Sequence, residues 1–270
     1  MNRLSVVVIT YNEEKNIGRC LKSVLPIADE IIVLDAWSTD NTISIAKSYG
    51  ARVFQDAFTG YIQQKNKALA FADNDYVLSL DADEAIDTRL REAILARKAG
   101  FSAPAYSMNR CTNYCGKFIR RGTWYPDAKV RLFDKRLARW AGTNPHDKIE
   151  LRLPDQKIEH LPGDILHHSF PSIEEHIYKS NKYSSIAARA MWLRGKKSNW
   201  FKMLINPFWA FFHCYFIRLG LLEGFSGFAI AVISAHSTFL KYAKLYHLQH
   251  SMKPAVKGGI FSPAEHAKAL

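Results

Sequence analysis

At 270 residues the chain is long enough for one large domain, or one domain with an appendage, and its 48% hydrophobic content can fill a sizeable core. Its formal charge of +12 is uneven: residues 171–270 hold 13 Lys/Arg against 4 Glu, whereas the first 170 hold 24 Lys/Arg against 21 Asp/Glu. So basic a C-terminal part points to an anionic partner, a membrane surface or nucleic acid, while the scattered Cys20, Cys111, Cys115 and Cys214 lack the second Cys/His pair of a structural zinc site and read as reduced thiols of a cytosolic protein.

Leu4–Ile9 is an apolar run of strand length. It passes straight into Asn12-Glu13-Glu14-Lys15 with no small-residue cleavage site, so it reads as a first buried strand and not as a signal peptide. Asn12 is a candidate N-cap; Ile17, Cys20, Leu21, Val24 and Leu25 then recur at helical spacing until Pro26. Glu30–Leu34 predicts a second strand ending at Asp35, and Ser38-Thr39-Asp40-Asn41-Thr42 offers caps to a helix closed by Gly50. A short strand at Ala51–Phe54, a helix over Tyr61–Phe71, a strand at Tyr76–Leu80 and a helix over Thr88–Lys98 follow. Strands alternating with helices predict βαβ units around a mostly parallel sheet.

After Gly100 the rhythm changes. Ala105–Asn109, Lys129–Phe133 and Lys148–Leu153 read as strands without intervening helices, with Trp124, Tyr125 and Trp140 among Gly, Arg and Pro. This less regular half is expected to receive a second substrate. Asp164–Pro171 reads as turn-like, and its His167-His168 pair as structural. From Ser172 the pattern is helical: an amphipathic Ile173–Leu193, then Met203–Ile217 and Leu219–Leu240. The first apolar run is too short to cross a bilayer and the second is broken by Glu223 and His236, against a need for roughly 20 apolar residues. Trp200 and Phe201, flanked by Lys196, Lys197 and Lys202, fit a helix lying in a membrane interface. Ordinary core helices or a homo-oligomer interface are the plainer alternative. The tail over 251–270 is rich in Pro, Gly and Lys and reads as flexible.

The chemistry is organised around Tyr76-Val77-Leu78-Ser79-Leu80-Asp81-Ala82-Asp83-Glu84. Ligands of open α/β sheets bind beyond the carboxyl ends of the strands. Asp81 and Asp83 should therefore stand at the mouth of a site, where crowded carboxylates call for a cation. One reading is a divalent metal held by hard oxygens that also grips a diphosphate; the other is a helix start rich in acids.

Four motifs then line up in order: Val6-Val7-Val8-Ile9-Thr10-Tyr11-Asn12-Glu13, Asp35-Ala36-Trp37-Ser38-Thr39-Asp40-Asn41-Thr42, Gln64-Lys65-Asn66-Lys67-Ala68-Leu69 and Asp81-Ala82-Asp83. Together they resemble the family-2 glycosyltransferases, which have a GT-A type, Rossmann-like fold and use nucleotide sugars. Lys129-Val130-Arg131-Leu132-Phe133, Pro145-His146-Asp147, Leu219-Gly220-Leu221-Leu222-Glu223-Gly224 and Thr238-Phe239-Leu240-Lys241-Tyr242 extend the likeness to the bacterial lipopolysaccharide-core glucosyltransferase branch. One departure is His146-Asp147, where that branch usually has His-Glu; the shorter acid has a shorter reach.

The resemblance implies a nucleotide-sugar-binding and catalytic domain over 1–170, a basic helical extension over 171–250 and the tail beyond. It implies that Thr10, Tyr11, Glu13 and Asp35 hold a uracil base and its ribose, Asp35 accepting the uracil N–H. Asp83 is the first candidate metal ligand, for Mg2+ or Mn2+, with Asp81 orienting the metal or the ribose. Lys65 could meet phosphate as a point charge and Arg131 as a planar fork; their bland alternatives are a solvated helix face and a surface ion pair. Asp147 is the candidate base for the acceptor hydroxyl, with His146 and Trp124 toward the acceptor. An exposed loop acid is the plainer reading of Asp147. The implied reaction is inverting transfer of a hexose, glucose by resemblance, from a UDP-sugar to a lipid-linked saccharide such as the lipopolysaccharide inner core. It would take place at the cytoplasmic face of the inner membrane, with a polyprenyl phosphate as the alternative acceptor. A haloacid-dehalogenase-like phosphohydrolase also places Asp-x-Asp after a strand, but at the start of its chain. A non-enzymatic membrane-binding module is the other rival. No nucleic-acid-reading motif and no Gly-x-Gly-x-x-Gly after the first strand appear.

Overall fold

The computed structural model describes residues 2–143, 146–153 and 156–251. The chain forms two compact units that meet in sequence between Ser172 and Ile173.

The first unit opens with the alternation read from the sequence: β1 (Leu4–Thr10), α1 (Ile17–Val24), β2 (Glu30–Asp35), α2 (Thr42–Ser48), β3 (Arg52–Gln55), α3 (Tyr61–Ala70) and β4 (Tyr76–Asp81). After it come β5 (Glu84–Ile86), α4 (Thr88–Lys98), β6 (Ala105–Tyr114), β7 (Lys117–Phe118), β8 (Ala128–Asp134), β9 (Ala138–Thr143), β10 (His146–Leu151) and β11 (Ile158–Phe170). The main sheet runs β3-β2-β1-β4-β8-β6-β11-β5, with β7 on the end of β6; β9 and β10 form a separate antiparallel ribbon. Strands β3, β2, β1 and β4 are mutually parallel. β8 runs antiparallel between β4 and β6, β11 is parallel to β6, and β5 is antiparallel to β11. The result is an α/β fold with a mixed sheet whose βαβ half is parallel.

Period-two alternation explains why the parallel half is apolar throughout. Leu4, Val6 and Val8 join a core on one face with Ile17, Cys20, Leu21 and Val24 of α1 and with Leu90 and Ile94 of α4. Val7, Ile32, Leu34 and Val77 face the other way, toward Ala68 and Leu69 of α3 and Trp140 of β9. The α1 residues recur at i, i+3, i+4 and i+7 and are all fully buried. Each such aliphatic side chain is worth roughly 1.5–3 kcal/mol of burial. Asp87 starts α4 by accepting the Leu90 amide at 2.7 Å.

Three elements depart from expectation. The segment read as turn-like, Asp164–Pro171, lies up to Phe170 within β11. That strand is polar and carries register shifts against β6 between His160 and Asp164 and between His167 and Phe170, so it has no clean period. β5, at three residues, is too short to announce itself, and β9 interrupts its apolar residues with Arg139 and Gly142. Leu219–Leu240 is not one helix: after α5 (Ile173–Leu193) and α6 (Trp200–Phe212) come a π-helical turn at His213–Ile217 and a 3-10 turn at Gly220–Glu223, before α7 (Phe225–Ser251). Leu219 and Gly224 take positive φ there (58° and 62°), which breaks the helix. A Cβ on Gly227 would stand 1.9 Å from the Gly220 carbonyl oxygen, so the glycines let the turn fold onto the start of α7. Lys244 of α7 ties to α5 by donating to the Asn181 carbonyl (2.9 Å) and side chain (2.7 Å) and to Ser184 and Ser185 (2.8 Å each). The expected tail beyond Ser251 lies outside the described residues.

Gly163, at φ 105° in β11, is where α4 comes closest to the sheet: a Cβ there would meet the Leu90 amide nitrogen at 2.2 Å. Gly163→Ala should cost about 2–4 kcal/mol through strain and overpacking. Gly50→Ala, also at positive φ but with nothing within 4 Å, should cost only about 1 kcal/mol. Urea midpoints of the two variants check this, and equal midpoints would refute the close-approach argument.

Candidate active site

Thr10, Asp35 and Asp81 end neighbouring parallel strands. Thr10 pairs with Asp35 across the β1–β2 ladder, and Ile9 with Asp81 across β1–β4. The three residues therefore line the carboxyl edge where open α/β sheets bind ligands.

The loops that leave this edge hold each other by reciprocal side-chain bonds. The Asn12 amide donates to Ser38 Oγ (2.8 Å), the Thr39 amide to Asn12 Oδ1 (2.8 Å) and the Glu13 amide to Thr42 Oγ1 (2.8 Å). Asn12 takes φ 51°, a left-handed conformation that asparagine tolerates. Glu13 itself accepts from the Asn16 side chain at 2.6 Å. Asp35 is fully buried: one oxygen accepts from Ser38 Oγ, the other from the Ser38 amide (2.8 Å) and Gln55 Nε2 (3.2 Å). The lock leaves one aromatic ring of each loop in solvent, Tyr11 and Trp37, both 58% exposed. Thr10 Oγ1 is buried without a hydrogen-bond partner.

At the end of β4 a buried ion network gathers residues from five elements. Lys65 of α3, its side chain 4% exposed, places Nζ 3.0 Å from Asp81 Oδ1 and 2.8 Å from Asp147 Oδ2 of β10. Arg131 of β8 places Nη2 3.3 Å from Asp81 Oδ2 and 2.9 Å from Glu84 Oε1. Glu84 also accepts the Asp81 amide at 3.0 Å, which fixes the tight turn carrying Asp81-Ala82-Asp83. Both cations lie over the Trp140 ring, Lys65 at 4.2 Å and Arg131 at 5.1 Å from its centroid. Burial alone would push the Asp81 carboxyl up, but Lys65 and Arg131 outweigh it and hold that group well below the usual carboxylate range. Burial would likewise lower Arg131, yet Glu84 and Asp81 raise it. Arg131 Nε and Nη1 and Trp140 Nε1 are buried without hydrogen-bond partners. Asn66, next to Lys65, brackets the Trp140 backbone: its Nδ2 donates to the carbonyl (2.8 Å) and its Oδ1 accepts from the amide (3.1 Å). That bracket sets β9, and with it β10 and Asp147, against α3.

Asp83 takes a different partner. Its Oδ2 stands 3.2 Å from His167 Nε2 of β11, and its carbonyl accepts the His168 amide at 2.9 Å. At that separation the two side chains pair directly, and both are of the donor types that a divalent cation takes. Among the described residues no cluster of three His, Cys, Asp or Glu side chains could hold an ion; phosphate and water would complete its shell. Trp124 packs on Phe170 (centroids 4.9 Å) and Tyr114 (5.7 Å). Pro145 and the His146 side chain lie outside the described residues.

A family model for glycosyl transferase family 2 matches residues 5–149. The chain belongs to this family. An uncharacterized glycosyltransferase of Rickettsia typhi is 36% identical, covering 92% of this chain and 88% of that protein. The lipopolysaccharide core biosynthesis glycosyltransferase LpsC of Rhizobium meliloti is 29% identical, covering 93% and 94%. Among solved structures, S. aureus TarS 1-349 in complex with UDP is 16% identical over 95% of each chain, with a TM-score of 0.48.

The protein is thus a glycosyltransferase, and the phosphohydrolase and non-enzymatic readings fall away. The geometry also removes the plainer readings of three residues: Lys65 is no solvated helix face, Arg131 no surface pair and Asp147 no loop acid. Sequence reasoning quoted Glu84 and Trp37 within motifs and placed Trp140 in the less regular half, but gave none of them a role of its own, and it took His167 as structural. For Glu84 and Trp140 the only available signal was adjacency to a motif; for His167 it was position on a strand hidden by irregular register.

Glu84 is expected to carry the turn. Glu84→Ala strands a buried guanidinium and should cost roughly 3–5 kcal/mol, while Glu84→Gln keeps an acceptor for the Asp81 amide and should cost less. Guanidinium denaturation of the two variants measures the gap; an alanine variant within about 1 kcal/mol of the parent would contradict this role.

Proposed function

We propose that this glycosyltransferase moves a hexose, glucose in the reading its resemblance favours, from a UDP-sugar to a lipid-linked saccharide of the lipopolysaccharide inner-core type, with inversion at the sugar carbon. It would act from the cytoplasmic face of the inner membrane as a peripheral protein. Among the described residues no helix is long and apolar enough to cross a membrane. The observation that carries the reading is the Lys65 bridge: one ammonium between the acid ending β4 and the acid on β10. The likeness to LpsC supports the acceptor class.

In this reading Tyr11 and Trp37 offer π-faces to the base, and the loops they leave hold the ribose. Asp35 already spends its oxygens on Ser38 and Gln55. It therefore acts first as the brace of the loop, and meets uracil only with whatever acceptor capacity remains. Lys65 and the unfilled donors of Arg131 face the diphosphate. Asp83 and His167 would hold the divalent ion. A nitrogen donor suits a first-row transition ion such as Mn2+ better than Mg2+, which keeps to oxygen. When bound, that ion supplies Lewis-acid neutralisation of the leaving diphosphate. Asp147 has Oδ2 on Lys65, and the acceptor hydroxyl would meet Oδ1. That carboxylate takes the hydroxyl proton as the oxygen attacks the anomeric carbon and the bond to the diphosphate breaks, its electron pair leaving with UDP.

Asp147→Asn should lower kcat for transfer to inner-core lipopolysaccharide by about 10²–10⁴-fold while stabilisation by UDP stays intact. Near-normal turnover would remove Asp147 as the base. Separately, UDP with Mn2+ should raise Tm by several degrees more than UDP in EDTA, because a ligand of the native state stabilises it by mass action. Asp83→Asn and His167→Ala should each erase that metal-dependent part alone. An equal rise in EDTA would overturn the ion site.

A further inference from the structure

The second unit exposes what a soluble fold normally hides. Of the 13 residues of α6, Trp-Phe-Lys-Met-Leu-Ile-Asn-Pro-Phe-Trp-Ala-Phe-Phe, only Met203 is buried. Phe201, Leu204, Phe208 and Trp209 of α6, with Leu222 and Phe225 at the turn into α7, are each more than half exposed. Positions 201, 204 and 208 recur at i, i+3 and i+7, so they share one helix face. Rows of large apolar side chains on this scale mark an interaction surface.

Charge says which partner covers it. Between Glu175 and Glu223 the chain has no acidic residue and eight Lys/Arg, and Glu223 itself is buried. Lys196 and Lys197 precede α6 and Lys202 lies within its first turn, beside Trp200. A second copy of this surface would bring like charge against like charge. An anionic lipid interface offers complementary headgroups to the lysines and acyl chains to the rings. At 13 residues α6 is about 20 Å long, short of the roughly 30 Å hydrocarbon core, so it lies in the plane of the interface.

We infer that α6 and the turn leading into α7 form an in-plane membrane anchor, which seats its aromatic face about 5–10 Å into the headgroup–acyl boundary of an anionic bilayer. This stands on the second unit alone and does not require the donor or acceptor proposed above.

The test is co-sedimentation of the full chain with vesicles of phosphatidylcholine, with and without phosphatidylglycerol. Binding should need phosphatidylglycerol and weaken with salt. Leu204→Glu with Phe208→Glu should lower partitioning at least tenfold, and Lys196→Gln with Lys197→Gln and Lys202→Gln by about fivefold per lysine. An unchanged far-UV circular dichroism spectrum and an unchanged Tm without ligand would confirm that each variant is folded. Because that readout is separate, failure of the donor proposal leaves this inference standing, and the converse holds. Equal binding by parent and Glu variant would overturn the anchor. So would a lipid-free dimer, seen by light scattering, that the Leu204→Glu/Phe208→Glu pair dissolves, for the face would then belong to a second copy.

Discussion

One buried ammonium joins the parts of the first unit that matter for chemistry. Lys65 leaves α3, lies over the Trp140 ring and reaches the acid ending β4 and the acid on β10. Taking a lysine out of water costs several kcal/mol unless its partners are well placed. The ribbon of β9 and β10 must therefore close in the correct register for the ion to be satisfied. The neighbouring residue enforces that register, since Asn66 binds both backbone groups of Trp140. Two consecutive side chains thus divide the work, one setting charge and the other position.

The charge balance of this network bears on what it can accept. Lys65 and Arg131 face Asp81, Glu84 and Asp147, and Arg110 also reaches Glu84 at 3.9 Å, so three cations stand against three carboxylates. A nucleotide diphosphate entering such a site adds further negative charge where the resident cations are already engaged. The unfilled donors on Arg131 are buried and add no net charge. In the proposed reading, an ion beside Asp83 and His167 would offset the charge that the diphosphate brings. The two acids of Asp81-Ala82-Asp83 already have different partners: the first is paired with Lys65 and Arg131, the second with His167.

What could be read from the sequence was what is local. The apolar strands, the helix of Ile17, Cys20, Leu21 and Val24, and the acids at strand ends all declare themselves through spacing of two or 3.6 residues. Lys65 and Asp147 were visible as motif members, yet nothing in their separation of 82 positions foretells a 2.8 Å contact. β11 stayed hidden because its register shifts destroy alternation, and His167 was hidden with it. The break at Leu219–Gly224 was equally illegible: a left-handed leucine has no compositional signature, and only the close approach of Gly227 to Gly220 explains it.

The inferred membrane anchor would account for the uneven distribution of charge through two opposite demands on carboxylates. At the nucleotide end of a glycosyltransferase they are indispensable, because they position lysine and arginine and can hold a cation. On a surface that meets anionic headgroups they would repel the partner and cost affinity with every residue. A single chain can meet both demands only by segregating them. Acids crowd the strand ends of the first unit, while the stretch between Glu175 and Glu223 has none. The exposed rings of α6 follow the same logic, since basic residues alone would give a surface attraction that salt screens, whereas buried aromatic area holds at any ionic strength.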